Sequence, residues 1–363
     1  MTAEPNYLYG VVPSEGERSY GPIGLGGGEV RTVSEGGIGI VASQGERIPL
    51  ATVSPEKALQ CLAQHQRVLE QVMLDAPVLP LKFGTYAEDD RQILAILRSG
   101  SPAFAGALEK YAGKVEVDLG VFWTDLQAVL AETAGHEAIV SMKARLASQG
   151  PPTTEQRIEL GQMVKMLLDH RREQVAGELA AALREKWPQA IVHAAPDDTM
   201  VFSAALLIGR DEQARFDGAV EDLNRRHEGW LRFRRVGPLP PYSFATVEVR
   251  TIETAELDAA RQALELGESA SLAEIKAAHR RRLQHVHPDR NAEVWAAQRT
   301  QEITAAFDLL EEYAVNFKHN FLTAQDGPVI VKVKSLADLR GGAKSPARQE
   351  PGSRSVRVRV EAA

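Results

Sequence analysis

What the sequence lacks limits the classes of protein to which it can belong. The chain has 363 residues but a single cysteine, Cys61, and only 6% of its residues are aromatic. A single cysteine excludes an intrachain disulfide and is typical of a reducing compartment. Cys61 lies on an apolar helical stripe, where a free cysteine packs as a small hydrophobic side chain. No apolar run approaches the roughly 20 residues of a membrane-spanning helix, and the first residues show no basic segment followed by an apolar one. These absences predict a cytoplasmic protein with no membrane span.

The sequence also lacks the motifs of the common enzymes and metal proteins. HExxH, CxxC and GxSxG do not occur, and His136, His170, His193 and His227 have no second ligand at metal spacing. The glycine-rich stretch at 21–28 lacks the Lys-Ser/Thr pair of a phosphate-binding loop, and a predicted strand rather than a helix follows it. We therefore predict that the protein is not an enzyme and that it binds no metal and no cofactor.

The remaining composition is that of a folded protein with several domains. A chain of 363 residues suits two or three domains, and its contents of 44% hydrophobic and 25% charged residues are ordinary. The formal net charge is −7, so the molecule as a whole does not attract nucleic acid. We expect its partners to be proteins.

Residues 1–150 combine β-type runs with amphipathic helices. Three runs predict strands, at residues 7–12, 30–33 and 38–41. Ser54 and Pro55 begin a helix with an apolar stripe, and a second helix is predicted at 89–97. Between them, two prolines and alternating Leu81 and Phe83 predict a short, buried structural strand. We assign residues 1–150 to a first α+β domain.

Residues 151–256 begin with a long helix, predicted at 156–187. Its charged face is either exposed to solvent or binds a partner helix. Four further elements follow in the order strand, helix, strand, strand, at residues 199–209, 211–230, 231–236 and 242–249. This order predicts a second α+β domain with an antiparallel sheet.

Two arginines of the predicted strand at 231–236 are candidate binding residues. Arg232 and Arg234 share one face of this strand, and Phe233 points to the other. The arginine face is either solvated or a patch that binds a charged partner.

Two proline-containing stretches resemble the signatures of the gas-vesicle accessory proteins of the L/F family. They are HQRVLEQVMLDAPVLPLKFGT at 65–85 and GPLPPYSF at 237–244. YLYGVV at 7–12 resembles the opening strand of that family, and KVEVDLGVFW at 114–123 resembles a later strand. The resemblance covers about residues 6–250. It implies a gas-vesicle-associated protein that binds the shell protein or other accessory proteins.

Residues 271–313 predict two helices joined by a rigid corner. Apolar residues recur at three- and four-residue steps from Leu272 to Val286, and Ser271 with Glu274 forms a capping-box start. Pro288 ends the helix near His287. Apolar residues of a second helix continue to about Tyr313, far enough to pack back antiparallel.

This pattern resembles the J-domain, the co-chaperone module that engages Hsp70, over about residues 257–313. The resemblance implies that a DnaK-type Hsp70 binds the corner and the basic helix, through His287, Pro288, Asp289, Lys276, Arg280, Arg281 and Arg290. We assign residues 257–320 to an all-α J-like helical hairpin and 321–363 to a tail. In the tail, residues 327–334 predict a strand, 341–355 predict disorder, and VRVRVEA at 356–362 could add to a sheet edge.

Together these patterns predict an α+β protein with a long connecting helix and a J-like module. The two resemblances imply that the protein is a gas-vesicle assembly factor and an Hsp70 co-chaperone. A rival hypothesis is a minor structural or nucleation component of the vesicle with a degenerate J-like region that does not stimulate Hsp70. It rests on His279 and Arg282, which stand where the J-domain family usually has an aromatic residue and a core leucine.

Overall fold

The architecture is α+β, as predicted, and the described residues form three sheets with helices packed on them. The structure, a computed structural model, describes residues 4–286, 294–317 and 328–335. The strands in these residues are β1 (Asn6–Pro13), β2 (Ser19–Gly21), β3 (Val30–Glu35), β4 (Ile38–Gln44), β5 (Leu79–Pro80), β6 (Tyr86–Ala87), β7 (Lys114–Trp123), β8 (Ala190–Val192), β9 (Met200–Gly209), β10 (Leu231–Leu239), β11 (Thr246–Thr251) and β12 (Val329–Lys334). The helices are α1 (Pro55–Met73), α2 (Asp90–Tyr111), α3 (Leu126–Ala134), α4 (Glu137–Ser148), α5 (Thr154–Lys186), α6 (Gln213–Arg226), α7 (Thr254–Ala263), α8 (Leu272–Val286) and α9 (Val294–Asn316).

The first sheet has the strand order β2-β3-β4-β1-β5, with β6 also paired to β1. Strands β3 and β4 form the predicted hairpin, and its Gly36 and Gly37 have φ values of 62° and 82°. Two consecutive positive φ angles are typical of the tight turns that match strand twist, and glycine adopts them without a steric penalty. Alternate residues of β1 enter two cores: Tyr7 and Tyr9 face the α1 side, and Leu8 faces α2.

Helices α1 and α2 begin where the sequence predicts. Ser54 caps α1 by accepting a hydrogen bond from the amide of Lys57, and Asp89 caps α2 by accepting from the amide of Gln92. Helix α2 continues to Tyr111 instead of ending at residue 97, and Pro102 lies within it. Its apolar face continues through Phe104 and Leu108, which are buried, so core packing extends the helix past a local breaker.

The second sheet has the order β10-β7-β9-β8, with all neighbours antiparallel. Strand β7, which we assigned to the first domain, lies inside this sheet between β9 and β10. The predicted boundary near residue 150 therefore does not separate the two sheets. Helices α5 and α6 pack their buried residues on this sheet through the same core as Tyr7, with Leu179 and Phe216 fully buried.

Strand β11 corrects a second expectation. We placed the strand predicted at 242–249 in the antiparallel sheet of the second domain, but β11 pairs antiparallel with β12 in a separate sheet, and Leu81 forms a bridge to Val247 on its other side. The strand predicted at 327–334 is confirmed as β12. Helices α7, α8 and α9 lie in the chain between these paired strands, so the J-like module is an insertion in a two-stranded sheet.

Strand β12 contacts two cores with alternate residues. Val329 packs with the α2 core, whereas Ile330 packs with α7, α8 and α9. The Ser99 hydroxyl on α2 donates to the Val329 carbonyl at 2.6 Å. These contacts join the J-like module and the first sheet through one strand.

Candidate partner-binding sites

Helix α8 of the J-like module begins with the predicted capping box. The Ser271 amide donates to Glu274 Oε2 at 2.7 Å, and the Glu274 amide donates to Ser271 Oγ at 3.3 Å. Helix α8 follows and is described from Leu272 to Val286.

Helices α8 and α9 pack antiparallel, with His279 lying flat on Phe307. The two ring centroids are 4.1 Å apart and the ring planes differ by 10°. Three residues earlier on α8, Lys276 Nζ lies 2.9 Å from a carboxylate oxygen of Glu311, four residues later on α9. The contacting residues are later in α8 where they are earlier in α9, so the two helices are antiparallel. This confirms the predicted hairpin.

The environment of His279 favours its neutral ring. Burial lowers the pKa of His279, and the carboxylates of Asp308 and Glu311 oppose that shift. A neutral imidazole stacked on a phenyl ring packs much as an aromatic residue does. The departure at position 279 thus preserves aromatic packing between the helices.

Arg282 is held at the rim of the module and not in its core. Its guanidinium Nη1 lies 2.6 Å from Glu265 Oε1, and its side chain is 24% exposed. Glu265 has a φ of 55°, a conformation that non-glycine residues rarely adopt. The Nε of Arg282 is buried without a partner in the described part of the chain. The arginine therefore links the loop after α7 to α8, where a leucine would only pack.

The basic residues of α8 divide into paired and unpaired groups. Lys276 is paired with Glu311, and Arg282 is paired with Glu265. Arg280 and Arg281 are exposed, and the described residues provide no carboxylate partner for either. The unpaired positive charge of α8 is thus concentrated on Arg280 and Arg281.

The predicted corner itself lies outside the described residues. This applies to His287, Pro288, Asp289 and Arg290. Their roles remain predictions from the sequence.

The two L/F-type signatures meet around β7 and β11. The second signature is bound to β7 by Ser243, whose amide and hydroxyl both donate to the buried Glu116 carboxyl group at 2.7 Å. The first signature is bound to β11, because the Lys82 amide donates to the Val247 carbonyl at 2.9 Å. Lys82 also pairs with Glu248, 166 residues later, so segments far apart in the chain form one structural unit.

A surface cleft of about 180 Å³ lies where these signatures meet. Its walls include residues 73–79 of the first signature and Pro241 of the second, together with Tyr111 and Arg210. The Arg210 guanidinium donates to the Met73 carbonyl at 2.6 Å, and Leu74 at the rim is 67% exposed. The cleft is a partly apolar recess with one cation already engaged by the backbone.

Arg232 and Arg234 lie on β10 and belong to a different part of the molecule from α8. Arg232 is exposed, and its guanidinium carbon is 4.9 Å from the centroid of the Phe122 ring. Arg234 is half-buried and interacts within the protein. Phe233 points to the opposite face and packs against the core, as the alternation predicts.

Sequence patterns did not identify the surface around Trp230. This residue is 51% exposed, although tryptophan is usually mostly buried, and the Arg171 guanidinium carbon lies 4.4 Å from its ring centroid. Arg171 also pairs with Glu132 at 2.9 Å. The three residues come from β10's entry turn, α5 and α3, so only the folded chain brings them together.

The described residues offer no metal site and no helix long and apolar enough to cross a membrane. Among them, no three His, Cys, Asp or Glu side chains form a group that could hold a metal ion. A separate search of the same residues found no membrane-spanning helix. The glycine-rich stretch forms a single 3-10 turn, Leu25–Gly27, and the strand β3 follows it as predicted.

Comparison with known families gives two matches that divide the chain. Residues 5–246 match the family model of the gas vesicle synthesis protein GvpL/GvpF, and residues 262–314 match that of the DnaJ domain. A gas vesicle protein F from a Streptomyces species is 27% identical over 244 residues, which cover 66% of this chain and 98% of that relative. Gas vesicle protein F of Dolichospermum flosaquae is 25% identical over 190 residues, covering 52% and 77%.

Solved structures show the same fold. The crystal structure of the gas vesicle protein GvpF from Anabaena superposes with a TM-score of 0.57 at 23% identity, over 66% of this chain and 98% of that one. The GvpF structure from Microcystis aeruginosa gives 0.54 at 22% identity with the same coverage. The chain belongs to the gas vesicle synthesis protein GvpL/GvpF family and carries a DnaJ domain in addition.

Proposed function

We propose that this protein is a gas vesicle assembly factor that binds the shell protein or other accessory proteins and recruits a DnaK-type Hsp70 through its J-domain. The observation that carries the proposal is the packing of α8 and α9. The two positions that depart from the J-domain pattern, His279 and Arg282, both have defined partners, Phe307 and Glu265. A module packed in this way is able to present its corner to a partner.

The chemistry of the cargo explains why a chaperone is useful. A shell subunit with a water-excluding face exposes a large apolar surface until it is assembled, and such surfaces aggregate. The L/F part would hold the subunit or a neighbouring accessory protein. The J-domain would bring Hsp70 to it and stimulate ATP hydrolysis, which couples release of the subunit to growth of the shell. The protein itself would catalyse no reaction.

Electrostatics supports Arg280 and Arg281 as the principal basic contacts on α8. Both are exposed and have no carboxylate partner in the described residues, whereas Lys276 already pairs with Glu311. An acidic surface on Hsp70 would therefore meet Arg280 and Arg281 first, with His287, Pro288, Asp289 and Arg290 supplying the corner. Exposed charge pairs are screened over a Debye length of about 10 Å at 0.1 M salt, so binding should weaken as salt rises.

The test is the ATPase rate of the cognate Hsp70 with and without the purified protein. We expect stimulation by the native chain, loss of stimulation in His287→Gln, and a clear reduction in the double variant Arg280→Glu/Arg281→Glu. The double variant Lys143→Glu/Arg145→Glu, at two exposed positions of α4, is a control of equal charge change outside the J-domain and should stimulate normally. A native chain that leaves the ATPase rate unchanged would remove the co-chaperone half of the proposal.

The rival, a structural component of the vesicle with an inactive J-like region, is distinguished by fractionation. Vesicles floated and washed in high salt would retain such a component in constant proportion to the shell protein. An assembly factor would be lost from them. The packing of His279 and Arg282 weakens the physical basis of the rival, and the location of the protein on or off the mature vesicle tests it directly.

A further inference from the structure

Strand β10 is at one end of the second sheet, and its outer edge is unpaired within the described residues. One contact shows which residues of β10 direct their backbone groups towards β7. The Thr124 amide donates to the Trp230 carbonyl at 2.9 Å, and bonded and non-bonded residues alternate along an antiparallel pair. Arg232 and Arg234 therefore direct their backbone groups towards β7, and Phe233 and Arg235 direct theirs outwards.

The outward backbone groups have no partner in the described part of the protein. No described backbone or side-chain group bonds to the amide or carbonyl of Phe233 or Arg235. The Leu231 amide, which also points outwards, bonds to the His227 carbonyl in the preceding turn at 3.1 Å. The edge available to an added strand thus begins after Leu231.

The side chains along this edge are basic and aromatic. Arg232 is exposed above the Phe122 ring, and Trp230 is half-exposed against Arg171. Tryptophan, tyrosine and arginine are the residues that most often contribute a large share of the binding energy in protein interfaces. They are placed here beside a row of free backbone donors and acceptors, which gives affinity and specificity together.

The positive charge of this edge indicates which kind of strand can bind to it. A second copy of β10 would place arginines opposite arginines, and like charges on facing strands repel. Residues 356–360 of the same chain, VRVRV, carry the same sign and meet the same objection. We propose that β10 is a docking edge for an extended, acidic segment of another protein, which pairs with Phe233 and Arg235 and places carboxylates beside Arg232.

This proposal does not depend on the J-domain and is tested without Hsp70. The probe is a short fluorescent peptide that alternates threonine and glutamate, and the control probe alternates threonine and lysine. Binding to the full-length protein is measured by anisotropy at low salt. We expect the glutamate peptide to bind and the lysine peptide not to bind, and we expect hydrogen exchange of the Phe233 and Arg235 amides to slow only with the glutamate peptide.

A pair of variants separates the backbone from the side chain. Arg235→Pro removes an outward amide and leaves the ladder to β7 intact, because proline is tolerated at the open side of an edge strand. Arg235→Ala removes the same side chain and its pair with Asp217 but keeps the amide. We expect the proline variant to bind the glutamate peptide about tenfold more weakly, and the alanine variant to bind like the native chain within about threefold.

Charge reversal provides an independent measurement. Arg232→Glu should weaken binding of the glutamate peptide and allow the lysine peptide to bind, with unchanged thermal unfolding as the control for folding. Three results would overturn the proposal: no binding of the glutamate peptide, equal binding of both peptides, or equal loss in Arg235→Ala and Arg235→Pro. In those cases the arginines only protect an exposed edge from aggregation.

Discussion

At the scale of single residues, burial of His65 beside Tyr7 favours its neutral ring. The Tyr7 hydroxyl accepts from the Gly84 amide at 3.2 Å and is also hydrogen-bonded to Nδ1 of His65, 2.9 Å away. The other ring nitrogen of His65, Nε2, is buried without a partner in the described residues. Burial lowers the pKa of His65 to about 3. The fold thus holds a neutral histidine.

This residue predicts a specific loss of stability in acid. Because the folded pKa lies below the unfolded value of 6.5, the unfolded chain binds the extra proton as pH falls below that value. From pH 7 to pH 5 we expect His65 to reduce the free energy of unfolding by about 2 kcal/mol. Urea unfolding at both pH values measures the reduction.

The matched variant is His65→Gln, which can donate to or accept from the Tyr7 hydroxyl but does not titrate. It should be less stable than the native chain at pH 7 and should lose less stability between pH 7 and pH 5. An equal loss in both proteins would mean that other groups cause the acid sensitivity.

Residue patterns predicted some of these positions and not their partners. Local spacing alone predicts Cys61 on an apolar helical stripe and Phe233 on the strand face opposite Arg232. The partner of His65 lies 58 residues away and the partner of Glu116 lies 127 residues away. No local pattern encodes such pairs, so the buried Glu116 and the exposed Trp230 were both missed.

At the scale of elements, β12 is the strand on which two cores depend. Ile330 is 2% exposed and packs in the core of the J-domain, and Val329 is 5% exposed and packs in the core under α2. An ion-pair network also crosses the junction, because Glu312 on α9 pairs with Arg250 on β11 and Lys332 on β12. The exposed pairs contribute little stability, and the buried side chains contribute most of it.

Truncating either of two neighbouring residues of β12 should destabilise mainly one of the two cores. We expect Ile330→Ala to cost about 2–4 kcal/mol and Val329→Ala somewhat less, because deleting buried methyl groups loses burial and leaves a cavity. Hydrogen exchange should accelerate mainly in α7, α8 and α9 for Ile330→Ala and mainly in α2 for Val329→Ala. The same pattern of acceleration in both variants would show that the strand does not divide its contacts in this way.

Helices were predicted better than strand pairings, for a physical reason. The capping box of α8 and the apolar stripes of α1 and α5 are complete within a few turns of chain. The partners of β7 and β11 lie far along the sequence, and an alternating run fits the edge of any sheet. The strand β12 was predicted, but its pairing with β11 across the whole J-domain was not.

At the scale of the whole molecule, the J-domain is an insertion whose two ends are adjacent. Thr251 pairs with Val329, and the Ile252 amide donates to the Pro328 carbonyl at 2.9 Å. Such an insertion adds little strain, because the cost of closing a loop grows slowly with its length and the ends already meet. We propose residues 253–327 as the unit that can be exchanged for a turn, in place of the boundary at 257.

Replacing residues 253–327 with Asn-Gly and changing Pro328 to threonine, whose amide can close the turn, tests this division, since the Asn-Gly pair forms a tight hairpin turn. Ile252 and Ile330 are changed to threonine in the same protein to avoid exposing apolar side chains. We expect a folded protein that still binds the shell or accessory partner in co-purification but no longer stimulates Hsp70. Full-length His287→Gln is the control, and it should behave in the same way in both assays. An unfolded product would show that the rest of the protein needs residues 253–327 in order to fold.

The insertion also sets the order in which the molecule can be completed. Ser99 on α2 bonds to Val329, 230 residues later in the chain. At the usual synthesis rates of about 5–20 residues per second, roughly 12–46 seconds separate the two. During that interval the face of α2 that β12 covers is open, while the whole J-domain has already been made. The J-domain is therefore synthesised before β12 completes the core under α2.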